Sequence, residues 1–297
     1  MACAGPRANI APRRRAHPGA GASTGVRSRG SEGRSGTMTM RGRSAALAAA
    51  TLLAACLPAL GQEIGWIRDV RGALDRAAES GRPLVVDFWA VWCAPCQQME
   101  QTTWGRAEVV EAVSAFVPLK VNFDAQQVFV RRYRVEAIPV VLILDEHGDE
   151  ITRHLGMIGA EELVELLGKV QAGYAAYREA LSGDDPDALL AAADYLASLD
   201  APSRAAELLE ERLDGAPPAR RAELACRIGE LWLAADEAKN AARWFGKAEK
   251  LAGDGPAARR ALEGLVRAER ARGRERAARE AEERLRRLGD RPASGRS

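Results

Sequence analysis

Two cysteines stand two residues apart in "VVDFWAVWCAPCQQME", at Cys93 and Cys96. A pair at this spacing can form half of a zinc site, close a small structural bridge, or trade electrons with other disulfides. Zinc requires two further ligands at suitable spacing. The candidates are His147, His154 and Cys226, and none of them forms a second pair. A structural bridge gains little from closing so short a loop. Redox work fits the context better. Cys93 follows an apolar run and opens a helical pattern, where free backbone N–H groups and the helix dipole stabilise a thiolate. There a thiol pKa falls from roughly 8.5 to about 7 or below. Pro95 suits a first helical turn, because its missing N–H costs nothing there. The spacing sets Cys96 beneath Cys93, within reach of a mixed disulfide. On this reading Cys93 is the exposed sulfur.

The elements around the pair alternate. "DVRGALDRAAESG" places Val70, Ala73, Leu74 and Ala77 on one helical face, and Gly81-Arg82-Pro83 ends it. "LVVDFWA" is a continuous β-rich apolar run, as in a strand buried on both faces. Residues 95–114 read as helical, "FVPLKVNF" as a strand, and "DAQQVFVRRYRV" as a helix with Asp124 as N-cap. "PVVLILD" and "EITRHLG" flank a hairpin turn at Glu146-His147-Gly148-Asp149, and "GAEELVELLGKV" closes the unit as a helix. The pattern predicts a three-layer α/β domain with a mixed sheet over residues 62–172.

Beyond Gln171 the composition turns to Ala, Leu, Arg and Glu, and strand signals vanish. Residues 173–184 read as a linker and 185–290 as three helical hairpins, opened at Asp185-Pro186, Pro217-Pro218 and Gly255-Pro256, with a tail at 291–297. In the middle hairpin Ile228, Gly229, Trp232, Ala241, Phe245 and Ala248 resemble the large and small positions of a tetratricopeptide repeat. A generic helical bundle accounts for the alanines equally well. From Ala257 onward thirteen Arg are interleaved with seven acidic residues, the pattern of a solvated face, with an acidic partner or anionic lipid surface as the lesser reading.

The first 61 residues read differently. A Gly/Pro/Ser/Arg stretch precedes "MTMRGRSAALAAATLLAACLPALGQE", in which Arg41 and Arg43 precede a short apolar segment. That is an export signal, with translation expected to begin at Met38 or Met40. Cleavage after Ala59-Leu60-Gly61 leaves a soluble chain from Gln62. Leu53-Ala54-Ala55-Cys56 resembles a lipobox, with Cys56 lipidated. The leader holds nine of the 43 basic side chains and one of the 41 acidic ones. The remainder, 34 basic against 40 acidic, is formally −6 and has no global attraction to nucleic acid.

"VDFWAVWCAPC" resembles the active-site stretch of the thioredoxin family, and residues 64–172 follow that family throughout. The resemblance implies that Cys93 is the nucleophile and Cys96 the resolving thiol. It implies that Asp87, with Lys120, accepts and returns the Cys96 proton. It further implies a cis-proline at Pro139, the family's late glycine at Gly156, and a docking surface of Trp92, Ile138 and Pro139. The family's helix-kinking proline is replaced by Gln101. "CQQMEQTTW" instead resembles the C-terminal domain of DsbD-type thiol–disulfide interchange proteins.

The reading is an exported thiol–disulfide oxidoreductase, periplasmic or lipid-anchored, that reduces protein disulfides. It uses no cofactor beyond the Cys93–Cys96 disulfide and no metal. Its partners are disulfide-containing proteins, a separate membrane or soluble electron donor, and a possible protein on the helical repeats. The alternative is a holdase or adaptor in which the repeats bind clients.

Overall fold

The computed structural model describes residues 63–253 and 255–289. The export signal, the Cys56 lipobox and the tail at 291–297 lie outside these residues.

The sheet has four strands in the order β2-β1-β3-β4. They are β1 (Leu84–Trp89), β2 (Val117–Asn122), β3 (Val140–Leu144) and β4 (Glu150–Leu155). β1 runs parallel to β2 and antiparallel to β3, and β3 pairs antiparallel with β4. Side-chain alternation divides the core into two layers. Leu84, Val86, Phe88, Leu142 and Leu144 pack against α1 (Val70–Ser80) and α4 (Gln127–Arg132). Val85, Val141 and Ile143 pack with Met99, Trp104, Val109, Leu163 and Leu167. Those last five side chains come from α2 (Ala94–Met99), the turn after it, α3 (Ala107–Val113) and α5 (Ala160–Leu181). This is the expected three-layer thioredoxin-type α/β architecture.

Caps explain the ends of α1. The Asp69 carboxylate accepts from the Arg71 and Gly72 amides at the start. Gly81, at φ 64°, turns the chain out at the end, where its amide bonds the Ala77 carbonyl.

Three local expectations need correction. The helical pattern at 95–114 is interrupted: α2 gives way to a π-helical turn, Glu100–Trp104, before α3 begins. Asp124 is not an N-cap. The Asn122 side chain takes the Asp124 and Ala125 amides instead, which holds those residues in a turn and delays α4 to Gln127. Most of the stretch read as a linker, 173–184, is helix, because α5 runs unbroken for 22 residues to Leu181. Tyr174, Tyr177 and Ala180 are buried, and Tyr177 packs on Tyr195 at 5.3 Å. Gly173 makes room for that ring, since a Cβ there would lie 2.4 Å from Tyr195. Burial of these aromatic side chains outweighs the composition change that suggested a break.

Among the described residues six further α-helices follow α5: α6 (Pro186–Ser198), α7 (Pro202–Arg212), α8 (Pro218–Ala234), α9 (Ala238–Ala252), α10 (Pro256–Ala271) and α11 (Glu275–Gly289). Proline opens α6, α8 and α10, as the sequence pattern predicts. The turns α6–α7, α8–α9 and α10–α11 share one design. Each holds a left-handed residue: Asp200, Asp236 or Gly273. In each, the next amide reaches back five residues: Ala201 to Leu196, Glu237 to Trp232, and Arg274 to Glu269. That is a Schellman closure, repeated three times. Phe245 of α9 inserts between Gly229 of α8 and Gly264 of α10, where added Cβ atoms would lie 2.8 and 2.2 Å from its ring.

The helices also touch the sheet domain. Thr152 Oγ1 donates to the Leu199 carbonyl at 2.8 Å, and Arg204 Nε to the Glu150 carbonyl at 3.0 Å. β4 is an edge strand, and these contacts cover part of it.

Candidate active site

Cys93 is the N-cap of α2, and Pro95 lies in the first turn. Its Sγ accepts the Cys96 amide at 3.2 Å and is bonded to Cys96 Sγ, with S–S 2.01 Å. The cysteines are 3% and 7% exposed respectively, so Cys93 is not the more exposed of the two in this disulfide form. The cause is packing: Ala90 and Phe123 enclose the pair, with Trp89 and Ile138 beside them. What distinguishes Cys93 is therefore its amide donor.

Trp92 is 62% exposed. Its Nε1 donates to Asp124 Oδ2 at 2.8 Å, and its ring meets Phe123 edge-on. The Ile138–Pro139 peptide is cis. The Pro139 carbonyl accepts the Gly156 amide at 2.9 Å, and Gly156 sits at φ 87°, a backbone conformation that favours glycine. Val91, two residues before Cys93, and Met157, next to Gly156, are exposed large apolar side chains.

Asp87 and Lys120 face one another in register on β1 and β2 and are nearly fully buried. Lys120 Nζ lies 3.5 Å from Asp87 Oδ2 and also hydrogen-bonds Glu100. It sits over two indoles, 5.2 Å from the Trp66 ring centre and 5.4 Å from that of Trp89. Burial pushes the Asp87 carboxyl up to about 6; Lys120 opposes this and the Glu100 charge adds to it. A carboxyl in that range can take up and release a proton near neutral pH.

The residues expected at the site thus fall in two groups. Cys93, Cys96 and Ile138 pack together, and Asp87 pairs with Lys120. Sequence reasoning missed Glu100 and Trp66. Glu100 stands one helical turn after Cys96, and that spacing was the available signal. Trp66 left no signal, because a strand-like clip to β2 brings it in. Among the described residues no group of three or more His, Cys, Asp or Glu side chains could hold a metal ion.

The α/β domain is similar to known proteins. A family model for a thioredoxin-like domain matches residues 70–171. A thioredoxin of Chlamydia trachomatis is 34% identical over 92 residues, 30% of this chain and 82% of that protein. The chain belongs to the thioredoxin family, and its matched part is a thiol–disulfide oxidoreductase domain carrying the Cys93–Cys96 pair. The thiol:disulfide interchange protein DsbD of Pseudomonas fluorescens is 32% identical over 87 residues, 28% of this chain but only 15% of that protein. The solved C-terminal domain of Neisseria meningitidis DsbD is 25% identical and aligns over 35% of this chain and 97% of its own, with a TM-score of 0.32.

Proposed function

We propose that the protein is an envelope protein-disulfide reductase. One observation carries the direction of electron flow. The Cys93 sulfur has a backbone amide on it, while Ala94-Pro95 between the cysteines offers neither charge nor imidazole. Thiolate stabilisation is then moderate, and a dithiol that is not strongly stabilised gives up its electrons readily.

In the cycle, a donor of two electrons and two protons opens the Cys93–Cys96 disulfide. The Cys93 thiolate attacks one sulfur of a substrate disulfide and releases the other as a thiolate, which takes a proton. Asp87, its charge balanced by Lys120, accepts the Cys96 proton. The Cys96 thiolate then attacks Cys93 Sγ, re-forms the disulfide and expels the second substrate thiolate, which takes the proton back from Asp87. Trp92, Ile138, Pro139 and Gly156 form the strand-like docking surface. Two electrons pass from dithiol to substrate, and no further cofactor enters. The chain is exported through its leader, as a soluble or Cys56-lipidated protein, and draws electrons from a separate donor. No described helix is long and apolar enough to cross a membrane.

Equilibration with glutathione tests the direction. The pair should fall nearer −270 mV than −120 mV, roughly 7 kcal/mol apart for two electrons. A value near the upper figure overturns the reductase reading in favour of an oxidant.

A second reading has its own observation. The three matching Schellman turns recur at a near-constant interval, close to the roughly 34-residue period of a tetratricopeptide repeat, which supports reading the helices as a repeat array, and such arrays offer extended binding surfaces. The helical region then docks a client or partner while the dithiol acts on it, or serves as a holdase by itself.

A further inference from the structure

The segment before α1 does more than lead into it. Ile67 pairs with the outer edge of β2: its amide donates to Pro118 O at 3.0 Å, and its carbonyl accepts the Lys120 amide at 2.9 Å. This clip sets Trp66 against Lys120. The indole packs edge-on against Trp104 of the π-helical turn, with centres 5.0 Å apart, and lies 5.2 Å from the Lys120 ammonium. Trp66 is half-buried and Lys120 is buried, and the indole packs beside the ammonium.

We propose that Trp66 is a positioning residue of the dithiol site: its ring keeps water from the Asp87–Lys120 pair and holds the ammonium between Asp87 and Glu100. This rests on the reductase reading above, in which Asp87 takes the Cys96 proton. The charged group that faces the pair is Glu100 on the π-helical turn, and Arg68 stands 6.0 Å from the Trp89 ring that also borders Lys120. Burial is the largest influence on Asp87 and raises its pKa to about 6. Opening the cover hydrates the carboxylate and reduces that influence. The loosened ammonium, drawn towards the more exposed Glu100, offsets only part of the change.

The test is carbon-13 NMR titration of the Asp87 carboxyl in the full chain, alongside the pH profile of insulin reduction. Trp66→Ala should lower the Asp87 midpoint by roughly one unit and carry the acid limb of the profile down with it. Trp66→Phe, which keeps an apolar ring face over the ammonium, should restore both. If Trp66→Ala does not fold, Trp66→Gln, with similar reach and no ring, should give the same downward shift. An unmoved midpoint in a folded Ala or Gln variant overturns the proposal, as does a Phe variant that shifts as far as Ala. If the wild type reduces no disulfide, the reductase reading fails, while the carboxyl titration still decides the role of Trp66.

Discussion

Lys120 Nζ lies 3.5 Å from the Asp87 carboxylate and also hydrogen-bonds Glu100, so one buried cation serves two acids on different elements. Glu100 has about half of its side chain in solvent and Asp87 almost none. The buried acid bears the desolvation, and its pKa rises from 3.8 to about 6. Ionising Asp87 in the folded protein therefore costs free energy that the unfolded chain does not spend.

The sign of the stability effect follows. Asp87's contribution is fully present below its unfolded pKa near 3.8 and is lost as pH rises through about 6. Asp87→Asn removes the ionisation. It should stabilise the protein above about pH 7 by on the order of 3 kcal/mol, a figure that already contains the loss of the Lys120 ion pair. Urea unfolding of both forms should show the gap closing below about pH 4. The same variant should turn over insulin more slowly, since the proton acceptor is gone.

The two cysteines differ in environment rather than in exposure: only Cys93 Sγ carries a backbone amide donor from the helix start. In the reduced protein Cys93 should alkylate well before Cys96 at neutral pH, because it sits at the helix start with an amide donor. Cys96→Ser should trap mixed disulfides with substrate, visible by mass spectrometry, and Cys93→Ser should trap none. Faster labelling of Cys96 would reverse the roles.

Cys226 should be silent. It is fully buried on α8, its thiol lies 3.6 Å from the Ala257 carbonyl, and burial pushes its pKa up to about 11. A thiol reagent should leave it unmodified in the native protein and react once denaturant is added.

Gly264 and Gly229 make room for Phe245. An added methyl at 264 would lie 2.2 Å from the ring, against 2.8 Å at 229. Overpacking of this kind costs about 1–3 kcal/mol, more than the ~1 kcal/mol helix propensity that alanine gains over glycine. Gly264→Ala should therefore lower the melting temperature, and by more than Gly229→Ala does.

Most of the α/β domain was legible because its signals are local. An apolar run such as "LVVDFWA" and the Pro-initiated helices specify their own secondary structure. The cysteine pair was legible because its function depends on three-residue spacing. What escaped depends on tertiary contact. The interruption after Met99 is stabilised by no helix breaker in the sequence, yet Thr103 of that turn bonds the Ile158 carbonyl at 2.8 Å, 55 residues away. Asp124 looked like a cap, but Asn122 competes for the same turn and Trp92 takes the Asp124 carboxylate. Residues 173–181 looked like a linker because their burial depends on Tyr195, on another helix.

The continuous α5 changes what the helical array can do for the dithiol. A client held by a module on a flexible tether samples many orientations, and its effective concentration at the second site falls off gradually with tether length. Here the chain leaves the catalytic domain inside a 22-residue helix, about 33 Å long at the usual rise. Its far half is locked by Tyr195, whose hydroxyl bonds the Val170 carbonyl at 2.8 Å. On the reading in which the helices dock a client, such a strut turns proximity into a geometric filter: a disulfide at the right offset from the docked segment is presented again and again, and one at the wrong offset is not presented at all.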